Sequence, residues 1–187
     1  FSFFYIYRNE YFENHKILVL IGFLMYLIVF FSWIIVSYQL PVYIIPIAMF
    51  SILLTVLLDT TVALISSTIL ILLISLLIGN DLDFAIIQFF VSFIAILSVR
   101  KLRKRRQIIT TMLTLVLCSL FVFFSVMLFK GIDFLDYNYS TVGYLALASF
   151  LCPILAFGLV PLFESFFGIT TDLSLIELLD YDQPLLK

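Results

Sequence analysis

The sequence predicts an all-α membrane protein: a polytopic helical bundle with six full transmembrane helices after a truncated N-terminal helix. Apolar residues make up 64% of its 187 residues and charged residues only 12%, and the mean hydropathy is +1.24. A soluble domain is nearer half apolar and a quarter charged, so we expect most of the chain to face lipid. The apolar stretches do not alternate with polar residues, which disfavours a β-barrel, and backbone amides in lipid must then be paired within helices.

The first sixteen residues are predicted to end one helix and lead into the next. Phe1–Tyr7 is apolar but too short to cross a bilayer, which takes about 20 residues. Arg8–Lys16 is a polar, charge-balanced connection, and we interpret its histidine, His15, as a solvated loop residue. The chain has no initiator methionine and no signal-peptide pattern, so we expect it to begin within a longer protein.

Six apolar stretches follow and define a transmembrane bundle over residues 1–166. Each is long enough to cross a hydrocarbon core of about 30 Å as a helix. The fourth reaches this length because Asp83 and Arg100 can snorkel from its ends. Short links join the stretches, which makes consecutive helices antiparallel neighbours. The predicted spans are 17–37, 42–58, 61–78, 82–100, 108–129 and 143–166.

The positive charges fall almost entirely on one side of this arrangement. With the RKLRKRR loop placed in the cytoplasm, that side holds nine of the ten Lys and Arg residues, and the other side holds only Lys130. This asymmetry predicts a multi-pass plasma-membrane protein with both ends of the six-span bundle in the cytoplasm. We interpret the basic loop as a topology anchor that also contacts anionic lipids. Its basic residues are Arg100, Lys101, Arg103, Lys104, Arg105 and Arg106.

A few polar side chains lie at or within the predicted spans. Asp59 separates the second and third spans, where its carboxylate can cap the following helix. Gln88 is the one strongly polar side chain inside a span, and we expect it to hydrogen-bond a neighbouring helix. Ser66–Thr68 and Thr110–Thr111 are small polar residues that let helices approach closely.

The last span carries two prolines and an acidic residue. Pro153 and Pro161 each remove a helical hydrogen bond and favour a kink. Glu164 follows near the predicted inner end, where a structural ion pair or a solvated position is expected. A bend at the prolines would suit a helix that transmits movement.

Beyond the last span the chain turns polar. Thr171 or Asp172 can start a short new helix, with Ser174 and Glu177 at the spacing of a capping box. We therefore predict that residues 167–187 form a cytoplasmic linker that leads to a further domain.

The sequence shows no catalytic, cofactor-binding or metal-binding pattern. A single histidine and no CxxC, HExxH or HD motif leave too few ligands for a metal-dependent hydrolase. Cys118 and Cys152 lie in apolar runs and are interpreted as buried apolar side chains rather than a disulfide. No Gly-rich phosphate loop or serine nucleophile elbow occurs. We expect neither a catalytic site in this segment nor a nucleic-acid partner.

The segment Pro161–Leu186 resembles the junction after the last membrane helix of seven-transmembrane HD-domain proteins, the PgpH-type cyclic di-AMP phosphodiesterases of bacterial membranes. In that family a proline and a glutamate end the last helix, F-G-I-T-T-D leads into L-x-L-L-E-L, and a proline with two leucines opens the cytoplasmic HD domain. The departure Asp180–Gln183, where relatives often carry Asn and His, is conservative. The matching positions that we select as coupling candidates are Pro161, Glu164, Thr170, Thr171, Asp172 and Glu177.

This resemblance implies that the chain is the membrane anchor and signal-transmitting domain of a phosphodiesterase that hydrolyses cyclic di-AMP. It implies an extracellular domain before Phe1. After Lys187 it implies a metal-dependent HD phosphohydrolase domain with a divalent metal pair, while this segment itself holds no cofactor. The expected partners are membrane lipids, those two domains of the same polypeptide, and a second copy in a homodimer.

Two other functions stay open from the sequence. Six-span bundles of this size include the substrate-binding components of energy-coupling-factor transporters, which would require a closed, polar-lined cavity. A scaffold of the cell-shape machinery would need no ligand. A tightly packed interior with a projecting C-terminal helix would instead favour the membrane anchor.

Overall fold

A computed structural model describes residues 15–100, 106–131 and 139–167 of the protein. All regular structure in these ranges is helical, which confirms the predicted fold class. A short 3-10 turn, Val42–Ile44, separates the first two helices. The six α-helices are α1 His15–Ser37, α2 Ile47–Leu57, α3 Thr60–Ile78, α4 Leu82–Val99, α5 Arg106–Phe129 and α6 Tyr139–Phe167. Predictions for residues 1–14, 101–105, 132–138 and 168–187 lie outside the described residues.

Five of these helices are long and apolar enough to cross a membrane: α1, α3, α4, α5 and α6. Their bounds match five of the predicted spans to within a few residues. His15, predicted to lie in a connecting loop, is instead the first residue of α1.

The second predicted span differs from the prediction, because only 11 residues, Ile47–Leu57, are α-helical. Pro41 and Pro46 lack amide hydrogens, so neither can donate the bond that would continue a helix through its position. The chain instead forms the 3-10 turn, and the Ile47 amide donates to the Ile45 carbonyl at 2.9 Å. At about 1.5 Å per residue, α2 is about 16 Å long, half the thickness of a hydrocarbon core.

This short helix lies at the centre of the bundle. Nine of its 11 residues are buried, and it packs against α1, α3, α4 and α6. Non-helical backbone at membrane depth is tolerated where protein surrounds it. Its central position therefore explains how the broken stretch before α2 can exist inside a membrane domain.

Each longer helix buries one face in the bundle and exposes large apolar side chains on the other. On α4 the buried positions recur every three or four residues, as one helical face requires; they are Phe84, Ile87, Gln88, Val91, Ser92, Ala95, Ile96 and Val99. The opposite face exposes Phe89, Phe90 and Leu97, which suits contact with lipid tails.

Two aspartates cap the helices of the third and fourth spans. Asp59 precedes α3, and its carboxylate accepts a hydrogen bond from the Thr60 amide at 2.7 Å, which confirms the predicted cap. Asp81 does the same for α4, accepting from the amides of Asp83 and Phe84 at 3.0 and 3.2 Å. Gly79 ends α3 in the left-handed conformation, with φ of 106°, which a glycine adopts without a steric penalty.

Candidate functional site

The last helix, α6, is the element that links the bundle to the polar segment after it. Its 29 residues give a length of about 43 Å, against a hydrocarbon core of about 30 Å. It remains helical through Pro153 and Pro161. Because it contacts α1, α2, α5 and the 3-10 turn, any movement of α6 involves most of the bundle.

Small side chains line the inward face of α6. Ala148, Ser149, Cys152 and Ala156 are all buried and recur at intervals of one, three and four residues. Such residues bring helix backbones close together in membrane proteins. They allow α6 to pack directly against the central helix α2.

A small cavity lies where this face of α6 meets α2, α4 and the 3-10 turn. Its volume is about 10 Å³, which is room for one water molecule at most. Its wall combines apolar and polar side chains: Tyr43, Ile45, Ala48, Gln88, Val91, Leu145, Ala148, Ser149 and Cys152.

Gln88 is placed differently from the prediction. Its side chain is only 3% exposed and lines the cavity, but it forms no hydrogen bond within the described part of the chain. The Ser149 hydroxyl, which lines the same cavity, also has no partner there. One turn after Gln88, the buried Ser92 hydroxyl likewise lacks a hydrogen bond. The sequence identified Gln88 as unusual but could not reveal that its amide would face a cavity.

Tyr43, which lines the cavity, belongs to an aromatic cluster. The Tyr43 ring lies edge-on to the Phe123 ring with centroids 5.9 Å apart, and its centroid is 5.9 Å from that of Phe84. These contacts join the 3-10 turn to α4 and α5, which supports the cavity wall at Tyr43.

The end of α6 holds the two coupling candidates that the structure describes. Pro161 is exposed, and Glu164 is half-buried in the last turn of the helix. The rings of Phe163 and Phe167 stack beside them, with centroids 6.4 Å apart. The other candidates, Thr170, Thr171, Asp172 and Glu177, lie outside the described residues. The coupling role of all six candidates stays a prediction.

The basic loop connects α4 to α5. Arg100 is exposed at the C-terminal cap of α4, and Arg106 is the first residue of α5. Lys101, Arg103, Lys104 and Arg105 lie outside the described residues. α6 follows α5 after a short link and packs against it, as antiparallel neighbours do. We therefore infer that α6 ends on the side of Arg100 and Arg106.

The opposite ends of α4 and α5 are joined by an ion pair between Asp83 and Lys130. Their side chains are 24% and 45% exposed, respectively. This pair could not be predicted from the sequence, because the two residues are 47 positions apart.

Cysteine and acidic side chains do not gather into a metal site within the described part of the chain. Cys152 is buried, as predicted, whereas Cys118 is only half-buried; both are free thiols. The Ser66 and Ser67 side chains and that of Thr111 are buried, which fits the predicted close helix contacts, while Thr68 is half-buried and Thr110 is exposed.

In the described part of the chain, five helices long and apolar enough to cross a membrane pack with a short central one, which is the architecture of a multi-pass membrane domain. The family described as "7TM receptor with intracellular HD hydrolase" matches residues 1–171. Because the match covers most of the chain, the chain belongs to this family, in which a membrane domain is linked to an intracellular HD domain. No curated protein and no solved structure gives a significant match.

Proposed function

We propose that this chain anchors and transmits signals to the HD domain of a bacterial membrane phosphodiesterase that hydrolyses cyclic di-AMP. The family supplies the link to an intracellular HD hydrolase. The choice of cyclic di-AMP rests on the segment Pro161–Leu186, whose sequence resembles the junction of PgpH-type enzymes. In this proposal the divalent metal pair belongs to the HD domain and this segment holds no cofactor.

The observation that carries the proposal is α6. It is the longest helix among the described residues, it packs against the central helix, and the junction segment begins within its last turns. A helix held along most of its length and prolonged beyond the core of the membrane is suited to pass a rotation or shift onward. We assign Pro161, Glu164, Thr170, Thr171, Asp172 and Glu177 to this relay.

The orientation is part of the same proposal. Nine of ten basic residues support a cytoplasmic basic loop, and the antiparallel order of neighbouring helices supports an end of α6 on the same side. An extracellular domain that precedes Phe1 would provide the input, and a homodimer would offer a second surface through which helices can shift.

A substrate-binding component of a transporter is not favoured. The cavity beside Gln88 cannot hold such a substrate, because small-molecule pockets occupy about 300–1,000 Å³ and this cavity measures about 10 Å³. The family match is to a receptor domain, and the packing around α2 is tight.

The test uses the intact full-length enzyme in lipid nanodiscs. One to four alanines are inserted after Ser165, each of which rotates the chain beyond it by about 100° and advances it by about 1.5 Å. Hydrolysis is measured for cyclic di-AMP, cyclic di-GMP and cyclic AMP, with the unmodified enzyme as reference.

A relay predicts that activity toward cyclic di-AMP changes with the phase of the insertion, so that two residues have a larger effect than four. Equal activity in all four variants would rule out the relay and leave a tether. Preferential cleavage of another cyclic nucleotide by the unmodified enzyme would disprove the proposed substrate. The insertion variants would then be compared with that nucleotide as substrate to test the relay.

A further inference from the structure

Polar groups from α4, α6 and α2 meet at the cavity beside α6, and these groups lack hydrogen-bond partners within the described ranges. Gln88 on α4 and Ser149 on α6 both line it, each is 3% exposed, and neither side chain is hydrogen-bonded by a described residue. Polar groups at a buried position favour a hydrogen-bonding partner, so this wall favours a small polar ligand over an apolar one.

The N-terminus of α2 adds backbone donors at the same place. Pro46 at the N-cap position has no side-chain acceptor. Among the backbone amides of the first turn of α2, only that of Ile47 donates to a carbonyl that precedes the helix. The amides of Ala48 and Met49 therefore have no acceptor within the helix. Ala48 lines the cavity.

Pro153 adds a backbone acceptor from α6. A proline within a helix has no amide hydrogen for the carbonyl four residues earlier, which here is that of Ser149. Pro153 is buried, so bulk water does not satisfy this carbonyl. The Ser149 carbonyl therefore lacks its usual hydrogen bond within α6. It lies on the same residue as the Ser149 hydroxyl at the cavity.

We propose that this cavity binds one structural water, which bridges Gln88, the N-terminus of α2 and the proline break of α6. A water needs two to four polar partners and a space of about 10–15 Å³, and the site offers both. The water can accept from the Ala48 amide or the Gln88 amide nitrogen and donate to oxygens of Gln88 and Ser149. Gln88 then acts as a positioning residue that fixes α6 against α2 through the water.

This inference does not depend on the substrate or the relay in the preceding proposal. It predicts an internal water in the membrane domain whatever the HD domain hydrolyses. Its loss would loosen the contact of α6 with α2 at Pro153 without removing any apolar packing residue.

Radiolytic footprinting of the intact protein in nanodiscs tests the water directly, because hydroxyl radicals formed from a bound water oxidise the adjacent side chains. Tyr43 and Cys152 line the cavity, whereas Phe50 on α2 is fully buried and does not. After normalisation for intrinsic reactivity, we expect Tyr43 and Cys152 to be oxidised at least fivefold faster than Phe50. We expect Gln88→Met to abolish this difference. Oxidation of Tyr43 and Cys152 no faster than that of Phe50 in the unmodified protein overturns the proposal.

A double-mutant cycle tests the link to the proline break. Pro153→Ala returns an amide to the Ser149 carbonyl, so the water has one partner fewer to satisfy. The fall in melting temperature caused by Gln88→Met should then be at least halved in the Pro153→Ala background. An equal fall in both backgrounds shows that Gln88 and the proline break are independent, which contradicts the bridge.

Discussion

Lys130, just past the end of α5, forms an ion pair with Asp83 in the first turn of α4. The pair fixes α4 and α5 as antiparallel neighbours at the end opposite the basic loop. Each charge also has the sign that its helix end favours, since an acid stabilises an N-terminus and a base stabilises a C-terminus. The pair therefore reports on helix arrangement more than on stability.

The first prediction concerns the energy of this pair. Because both side chains are partly solvated, a double-mutant cycle of Asp83→Asn and Lys130→Gln should give a coupling free energy of only about 0.5 kcal/mol. The measurement is reversible unfolding in mixed micelles at low and high salt, and the coupling should shrink at high ionic strength. Strictly additive effects at low salt would show that the contact has no energetic role.

The second prediction concerns the cap of α3. Asp59→Ala removes the carboxylate that accepts from the Thr60 amide and should lower the free energy of unfolding by about 1 kcal/mol. Asp59→Asn keeps a capping oxygen, so it should lose only a few tenths of a kcal/mol. The same unfolding assay compares the two, and equal losses from both variants would argue that the negative charge, not the cap, is what matters.

The third prediction separates inward-facing from lipid-facing residues on one helix. Leu70 of α3 is fully buried, whereas Leu72 is 57% exposed. Lipid tails are as apolar as the protein interior, so the cost of Leu70→Ala is the packing lost around the cavity that it creates, about 2 kcal/mol. Leu72→Ala makes the same chemical change where lipid fills the gap and should have almost no effect on unfolding. A larger loss from Leu72→Ala would place a protein partner, rather than lipid, on this face.

The sequence predicted the helical bundle because hydropathy is a direct signal of membrane spans. Five spans were predicted to within a few residues, and the cap at Asp59 followed from an acid immediately before a helix. The second span was predicted as one helix over residues 42–58, whereas the α-helix covers only Ile47–Leu57. Averaged hydropathy does not register a helix break, although Pro41 and Pro46 were visible signals for one.

The cavity and the ion pair could not be predicted, because both depend on which helices become neighbours. Gln88, Ser149 and Ala48 come from three helices, and their shared wall follows from the central position of α2. Asp83 and Lys130 are likewise far apart in the chain, at 47 positions. The motif at Pro161–Leu186 predicted the family through resemblance, which packing physics alone would not have supplied.

The fourth prediction is the orientation of the bundle, tested with cysteines at the two ends of α4. Asn80 and Arg100 are both exposed, and Asn80→Cys should react with a membrane-impermeant maleimide in intact cells. Arg100→Cys should react only after permeabilisation. The unmodified protein is the blank, because Cys118 lies in the middle of α5 and Cys152 is buried.

The same labelling experiment determines on which side of the membrane α6 ends. The Asp83–Lys130 pair puts the end of α5 beside the start of α4. α6 follows α5 in the chain and packs against it as an antiparallel neighbour. The end of α6 therefore shares a side with Arg100, and a cytoplasmic Arg100 places Glu164 next to the intracellular HD domain of this family. Labelling of Arg100→Cys in intact cells, with Asn80→Cys protected, would reverse the orientation and exclude α6 as the connection to that domain.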